Sequence, residues 1–151
     1  MFNIADNIID WIVSFLTDRD QFTKLGDHRS FTIINHSIVQ GSGIGPMLFL
    51  IFISDLKPIG LDNSLTKYAD DTSLLVPERT DVDMSEEFSH IMKWSSDNKL
   101  IVNLAKTKEI VFNRPNLNND LSPKELEGVE RVEVAKLLGV WLQSDMGAGS
   151  I

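Results

Sequence analysis

The chain contains no cysteine, which excludes disulfide bridges and thiolate metal centres. Its three histidines, His28, His36 and His90, follow no zinc spacing and read as surface or hairpin residues. No apolar stretch approaches the ~20 residues that a bilayer span requires. The longest, Met47-Leu48-Phe49-Leu50-Ile51-Phe52-Ile53, reads as a buried helix, and no membrane association is expected. The opening residues, Met1-Phe2-Asn3-Ile4-Ala5-Asp6, have neither a basic start nor an apolar core, so no signal peptide is expected and the location should be intracellular. Positive charge is also scarce. Lys and Arg number 14 against 22 Asp and Glu, for a net charge of −8. Residues 1–75 hold nine acidic and five basic side chains, and residues 76–151 hold thirteen and nine, so neither half is basic. Phosphate recognition normally shows as an excess of Lys and Arg. By charge alone, only weak nucleic-acid binding is expected of these 151 residues.

What is present suits one compact domain: 151 residues, of which 42% are hydrophobic and 24% charged. Ile4, Ile8, Trp11, Ile12 and Phe15 recur at helical spacing, which predicts an amphipathic helix over residues 4–17. Residues 21–25 and 31–36 flank Gly26-Asp27-His28-Arg29-Ser30, a hairpin signal. A glycine-rich loop, Gln40-Gly41-Ser42-Gly43-Ile44-Gly45, precedes Pro46, which is favoured at a helix start because its missing N–H would be unpaired there. That helix should end near Leu56. Residues 65–69 and 72–76 form two short apolar runs with Asp70-Asp71 between them, predicting a second hairpin with two carboxylates at its tip. A helix is predicted over residues 84–97, with Met84, Phe88, Ile91, Met92 and Trp94 as its core face. Strands are predicted at residues 110–112, 129–134 and 137–142, and residues 116–123 read as a loop. The order gives an α+β class, with an antiparallel sheet packed against helices.

Tyr68-Ala69-Asp70-Asp71 carries the chemistry. Two adjacent carboxylates repel unless positive charge sits beside them. Magnesium suits that position, since it prefers hard oxygen ligands. Two such ions about 4 Å apart can activate a hydroxyl and stabilise a leaving phosphate. An Asp-Asp pair alone is more often just an ordinary turn, because aspartate bonds nearby backbone.

The surrounding segments are distinctive. Tyr-Ala-Asp-Asp between two apolar strands resembles the metal-binding signature of reverse transcriptases. Gln40-Gly41-Ser42-Gly43-Ile44-Gly45-Pro46-Met47-Leu48-Phe49 resembles that family's second palm motif, and Ser54-Asp55-Leu56 resembles the end of the helix after it. Trp94, Asn98, Leu100, Asn103, Lys106-Thr107 and Val111-Phe112 resemble the fourth motif. Leu137-Leu138-Gly139-Val140 resembles the fifth, the primer-grip region. Residues 4–22 look like the helix that precedes the second motif in non-LTR retrotransposons. The resemblance therefore runs from Ile4 to Leu142 and identifies the chain with the palm of a non-LTR retrotransposon reverse transcriptase.

That resemblance implies that Asp70 and Asp71 bind magnesium, two ions being expected in the intact parent enzyme. It implies that Tyr68 buttresses the turn near the primer end, and that Gln40 and Gly41 line the incoming nucleotide and template base. Lys106 would neutralise or protonate the leaving pyrophosphate. The parent's partners would be an RNA template, a DNA primer and deoxynucleotides. Two departures stand out. The family most often has Gly-Val-Pro before Gln-Gly, where this chain has Ser37-Ile38-Val39. The first palm motif, which carries another metal-binding aspartate, is expected upstream of the Ile4 helix, since Asp6 and Asp10 fall inside that helix. Residues 1–151 are accordingly expected to be one partial domain, with fingers, first motif and thumb outside it, inactive alone and prone to self-association. Two other readings stay open: a degenerate or domesticated relic with a binding role or none, and an unrelated metal-dependent phosphoesterase. The latter would need further Asp, Glu or His ligands converging on Asp70 and Asp71.

Overall fold

A computed structural model describes residues 4–34, 41–112 and 123–145. The chain divides into two compact units, Met1–Asp55 and Leu56–Ile151.

In the first unit, helix α1 (Asp6–Leu16) follows the apolar spacing. Trp11 and Phe15, one turn apart, stack with ring centroids 5.8 Å apart. The helix stops where the Thr17 N–H and hydroxyl both donate to the Val13 carbonyl at 2.9 Å. Strands β1 (Arg19–Leu25) and β2 (His28–Ile34) then pair antiparallel. The connection is tighter than the expected five residues: Gly26-Asp27 alone turns the chain, and His28, Arg29 and Ser30 belong to β2. Gly26 has φ +59°, the backbone that a type II′ hairpin turn requires at its first central position. Phe22 faces Phe31 across the strands, with rings 5.9 Å apart.

Helix α2 (Gly45–Phe52) runs into a 3₁₀ turn, Ile53–Asp55. The buried helix expected here is not found. Ile53 is 5% exposed, but Met47 is 59% exposed and Phe52 42%. A helix apolar on all sides needs neighbours all round. Among the described residues of this unit, one further helix and one hairpin are too few to surround it.

The second unit holds Tyr68, Asp70, Asp71 and Lys106, most of the candidate site residues. Strands β3 (Ser64–Tyr68) and β4 (Asp71–Leu75) form the predicted hairpin, with Tyr68 opposite Asp71. Helix α3 (Met84–Asp97) matches the predicted span. Its start is fixed by Asp83, whose carboxylate accepts the Glu86 N–H at 2.9 Å. Its end is a Schellman motif: Lys99 takes φ +57°, Leu100 N–H bonds the Ser95 carbonyl at 2.8 Å, and Lys99 N–H bonds that of Ser96 at 3.0 Å. Met84, Phe88, Ile91, Met92 and Trp94 are half-buried, while the fully buried positions of α3 are Glu87 and Ser95. Leu56, Leu126 and Val129 are the buried apolar residues of this unit among those described.

The remaining strands depart from expectation. Pairing falls on β5 (Lys108–Glu109) rather than residues 110–112, and its partner β6 (Glu130–Arg131) runs parallel to it. Residues 137–142 are not one strand but a turn flanked by β7 (Val134–Leu137) and β8 (Val140–Gln143). Leu138 at φ +48° and Gly139 at φ +89° supply the two positive angles of a type I′ turn. The described strands form four separate two-stranded ladders, three antiparallel and one parallel, instead of one antiparallel sheet. The mixed α+β class stands. Most of the loop expected at residues 116–123 lies outside the described residues. No helix among those described is long and apolar enough to cross a membrane.

Candidate active site

The β3–β4 hairpin turns through two residues, Ala69 and Asp70, with Ala69 at φ +51°. Asp70 therefore lies in the turn and Asp71 opens β4. Alternation along β3 half-buries Leu65 and Lys67 and leaves Tyr68 at the exposed end. The Lys67 ammonium donates to the Leu56 carbonyl beneath the hairpin. Tyr68 is 65% exposed, and Asp70 and Asp71 are both exposed. Neither carboxylate accepts a hydrogen bond or ion pair from the described residues. Their oxygens are thus hard donors with no internal partner, which is the chemistry a divalent cation takes.

Gly41 begins the loop before α2, with φ +82° and open space where a Cβ would stand. Ser42 closes that loop by accepting the Gly45 N–H on its hydroxyl at 3.1 Å. Gln40 lies outside the described residues. Lys106 is exposed, in a turn closed by its own N–H on the Asn103 carbonyl at 3.1 Å. No hydrogen bond or ion pair joins it to Asp70 or Asp71. The structure thus brings Tyr68, Asp70 and Asp71 together on one turn. Gly41 belongs to the first unit, and the turn and Lys106 to the second.

The sequence reading did not single out Glu87. Its side chain is fully buried. Oε1 accepts the N–H groups of Ile59 at 2.8 Å and Gly60 at 2.7 Å, and the Asn63 amide at 2.8 Å. Burial is the largest single influence and disfavours the charged form. The bonds from Asn63, Gly60 and Ile59, with the nearby His90, outweigh it and hold the carboxyl below its ordinary range. A signal was available: Glu87 lies three residues after Met84 and four before Ile91, inside the apolar face of α3.

Residues 1–142 match the family model described as Reverse transcriptase (RNA-dependent DNA polymerase). The chain belongs to that family. The "Probable RNA-directed DNA polymerase from transposon BS" of Drosophila melanogaster is 29% identical over 150 aligned positions, covering 90% of this chain and 17% of that protein. The chain thus spans about one sixth of the length of that curated relative. No solved structure matches the chain. Family membership removes the reading of an unrelated phosphoesterase. The family as a whole depends on divalent metal, and among the described residues no group of three or more His, Asp or Glu comes together as a metal site.

Proposed function

We propose that these 151 residues are part of the palm of a non-LTR retrotransposon reverse transcriptase, which copies RNA into DNA from deoxynucleotides when whole. The observation that carries this reading is the tight turn that leaves Asp70 and Asp71 exposed at a hairpin tip, with no partner among the described residues, in a chain of this family. Asp70 and Asp71 would hold magnesium, which supplies charge neutralisation at the attacking and leaving oxygens. Tyr68 supports the turn beside the primer end. Gln40 and Gly41 line the nucleotide and template, where a missing Cβ admits a flat base. Lys106 neutralises or protonates the departing pyrophosphate. Residues 1–151 would then be one partial polymerase domain, working with RNA, a DNA primer and basic surfaces contributed elsewhere in the parent.

The net charge of −8 favours one consequence: by itself the chain holds template and primer weakly. Two carboxylates also give magnesium few protein oxygens, so affinity should be about millimolar. Manganese, a paramagnetic stand-in, is expected to broaden the Asp70 and Asp71 amide signals first, and Asp70→Asn with Asp71→Asn should remove the effect. The purified chain should leave a primed RNA template unextended. Robust extension that Asp70→Asn abolishes would show the 151 residues to be a working polymerase. Manganese broadening spread evenly over the surface acidic residues would sink the site assignment.

A further inference from the structure

The hairpin that carries Asp70 and Asp71 is held at its root by buried polar groups. Residues 59–63 lead into β3, and residues 80–83 connect the end of β4 to α3. Asn63, 7% exposed, ends the first segment and bonds to the second. Its amide donates to Glu87 Oε1 at 2.8 Å and to the Val82 carbonyl at 2.9 Å, while its oxygen accepts the Thr80 hydroxyl at 2.7 Å. Glu87 adds the N–H groups of Ile59 and Gly60. A Cβ at Gly60 would stand 2.3 Å from the Asn63 amide nitrogen and 2.9 Å from an Asp81 oxygen, so a side chain there would push Asn63 out of this arrangement. One carboxylate on α3 therefore ties the chain entering the hairpin, through Asn63, to the chain leaving it.

Stability alone is a poor account of this arrangement. Burying a carboxylate is costly, and Glu87 Oε2 is buried with no hydrogen-bond partner among the described residues. What the charge does provide is direction: three donors converge on one oxygen fixed to a rigid helix. Direction matters at the far end. Five strand residues separate root from tip, a lever of roughly 17 Å at about 3.4 Å per residue. A tilt of about 10° at the root would move the tip by about 3 Å, more than the ~2.1 Å length of a magnesium–oxygen bond.

We infer that Glu87 is a positioning residue that, through Asn63, closes the root of the β3–β4 hairpin and sets the direction in which α3 presents the Asp70–Asp71 turn. The role assigned to that turn rests on the proposed function; the clasp itself does not.

The test uses the ¹⁵N-labelled 151-residue chain, as wild type, Glu87→Gln and Thr80→Val. Glu87→Gln keeps the shape and one acceptor oxygen but removes the charge. Thr80→Val removes the far-side bonds of the Thr80 hydroxyl to Asn63, Asp81 and Val82 and leaves those made by Glu87. Residual dipolar couplings report the orientation of β3–β4 relative to α3, amide exchange reports local opening, and manganese broadening reports the turn. In Glu87→Gln, α3 should keep its protection beyond its first turn. The hairpin couplings should shrink or change, exchange across β3–β4 should quicken by about tenfold or more, and manganese should broaden the turn less. If Glu87→Gln does not fold, Thr80→Val decides by the same measures. Hairpin couplings unchanged from wild type, or protection lost equally in α3 and the hairpin, would overturn the inference and leave Glu87 a merely structural residue. Absence of manganese broadening in the wild type would defeat the metal-site reading, while the couplings would still decide the clasp.

Discussion

Single residues in this chain hold strained or charged positions whose cost can be measured. Lys99 ends α3 with φ +57°, backbone that costs a side chain about 1 kcal/mol or more and costs glycine nothing. Lys99→Gly is therefore expected to stabilise the chain by about 0.5–1 kcal/mol in urea unfolding; a loss of stability would mean that the lysine side chain contributes more than its backbone costs. Glu87 makes a prediction of opposite kind. Its carboxyl is held below the ordinary value of 4.5 in the folded chain by the Asn63, Gly60 and Ile59 bonds acting against burial. Unfolding raises that pKa back, so the unfolded chain binds the proton more readily. The contribution of Glu87 is thus present above about pH 4.5 and is lost as pH falls below it through the folded value. Denaturation midpoints should drop as pH falls below about 4.5, and Glu87→Gln should flatten that drop. An identical acid profile in both proteins would remove Glu87 as its source.

Elements fall into those that local pattern determines and those that distant partners determine. Helix α3 was legible because its apolar spacing and its length agree. The β3–β4 hairpin was legible because two apolar runs bracket a polar pair. The Leu137-Leu138-Gly139-Val140 stretch was not, since its apolar residues read as one strand and only the positive angles at Leu138 and Gly139 make it a turn. Glu87 stayed hidden because a charge inside an apolar face looks like a solvated exception until its donors are known. Strand β5 was misplaced for a third reason. Its pairing is fixed by β6, some twenty residues later, where Arg131 Nε donates to Glu109 Oε2 at 2.9 Å and the Val132 N–H donates to the Glu109 carbonyl at 2.8 Å. The Glu109 side chain is 5% exposed and that of Arg131 22%. Removing one partner would leave a buried charge uncompensated, so Arg131→Met should cost about 3 kcal/mol. Replacing both, with Glu109→Leu, should cost clearly less than Arg131→Met alone. A double-mutant cycle by urea unfolding checks this, and additive losses would show that the pair does not interact as drawn.

At the scale of the whole molecule, both units expose large apolar side chains in a chain of net charge −8. In the first unit Trp11 is 54% exposed, Met47 59% and Ile33 73%; in the second, Leu61 is 93% exposed, Ile101 96% and Trp141 65%. Apolar surface of this kind favours association. The purified chain should self-associate with rising concentration in sedimentation velocity and melt at modest temperature. Magnesium should change little. A ligand present at its dissociation constant adds only about 0.4 kcal/mol, which at this size is a shift of roughly 1–2 °C. The sign follows from the proposed site: metal held there would relieve repulsion between Asp70 and Asp71 and would stabilise the folded chain weakly. A chain that stays monomeric at high concentration, melts cooperatively above about 60 °C and gains several degrees from sub-millimolar magnesium would carry a complete metal site of its own. The partial-palm reading would then give way to that of a self-sufficient metalloprotein.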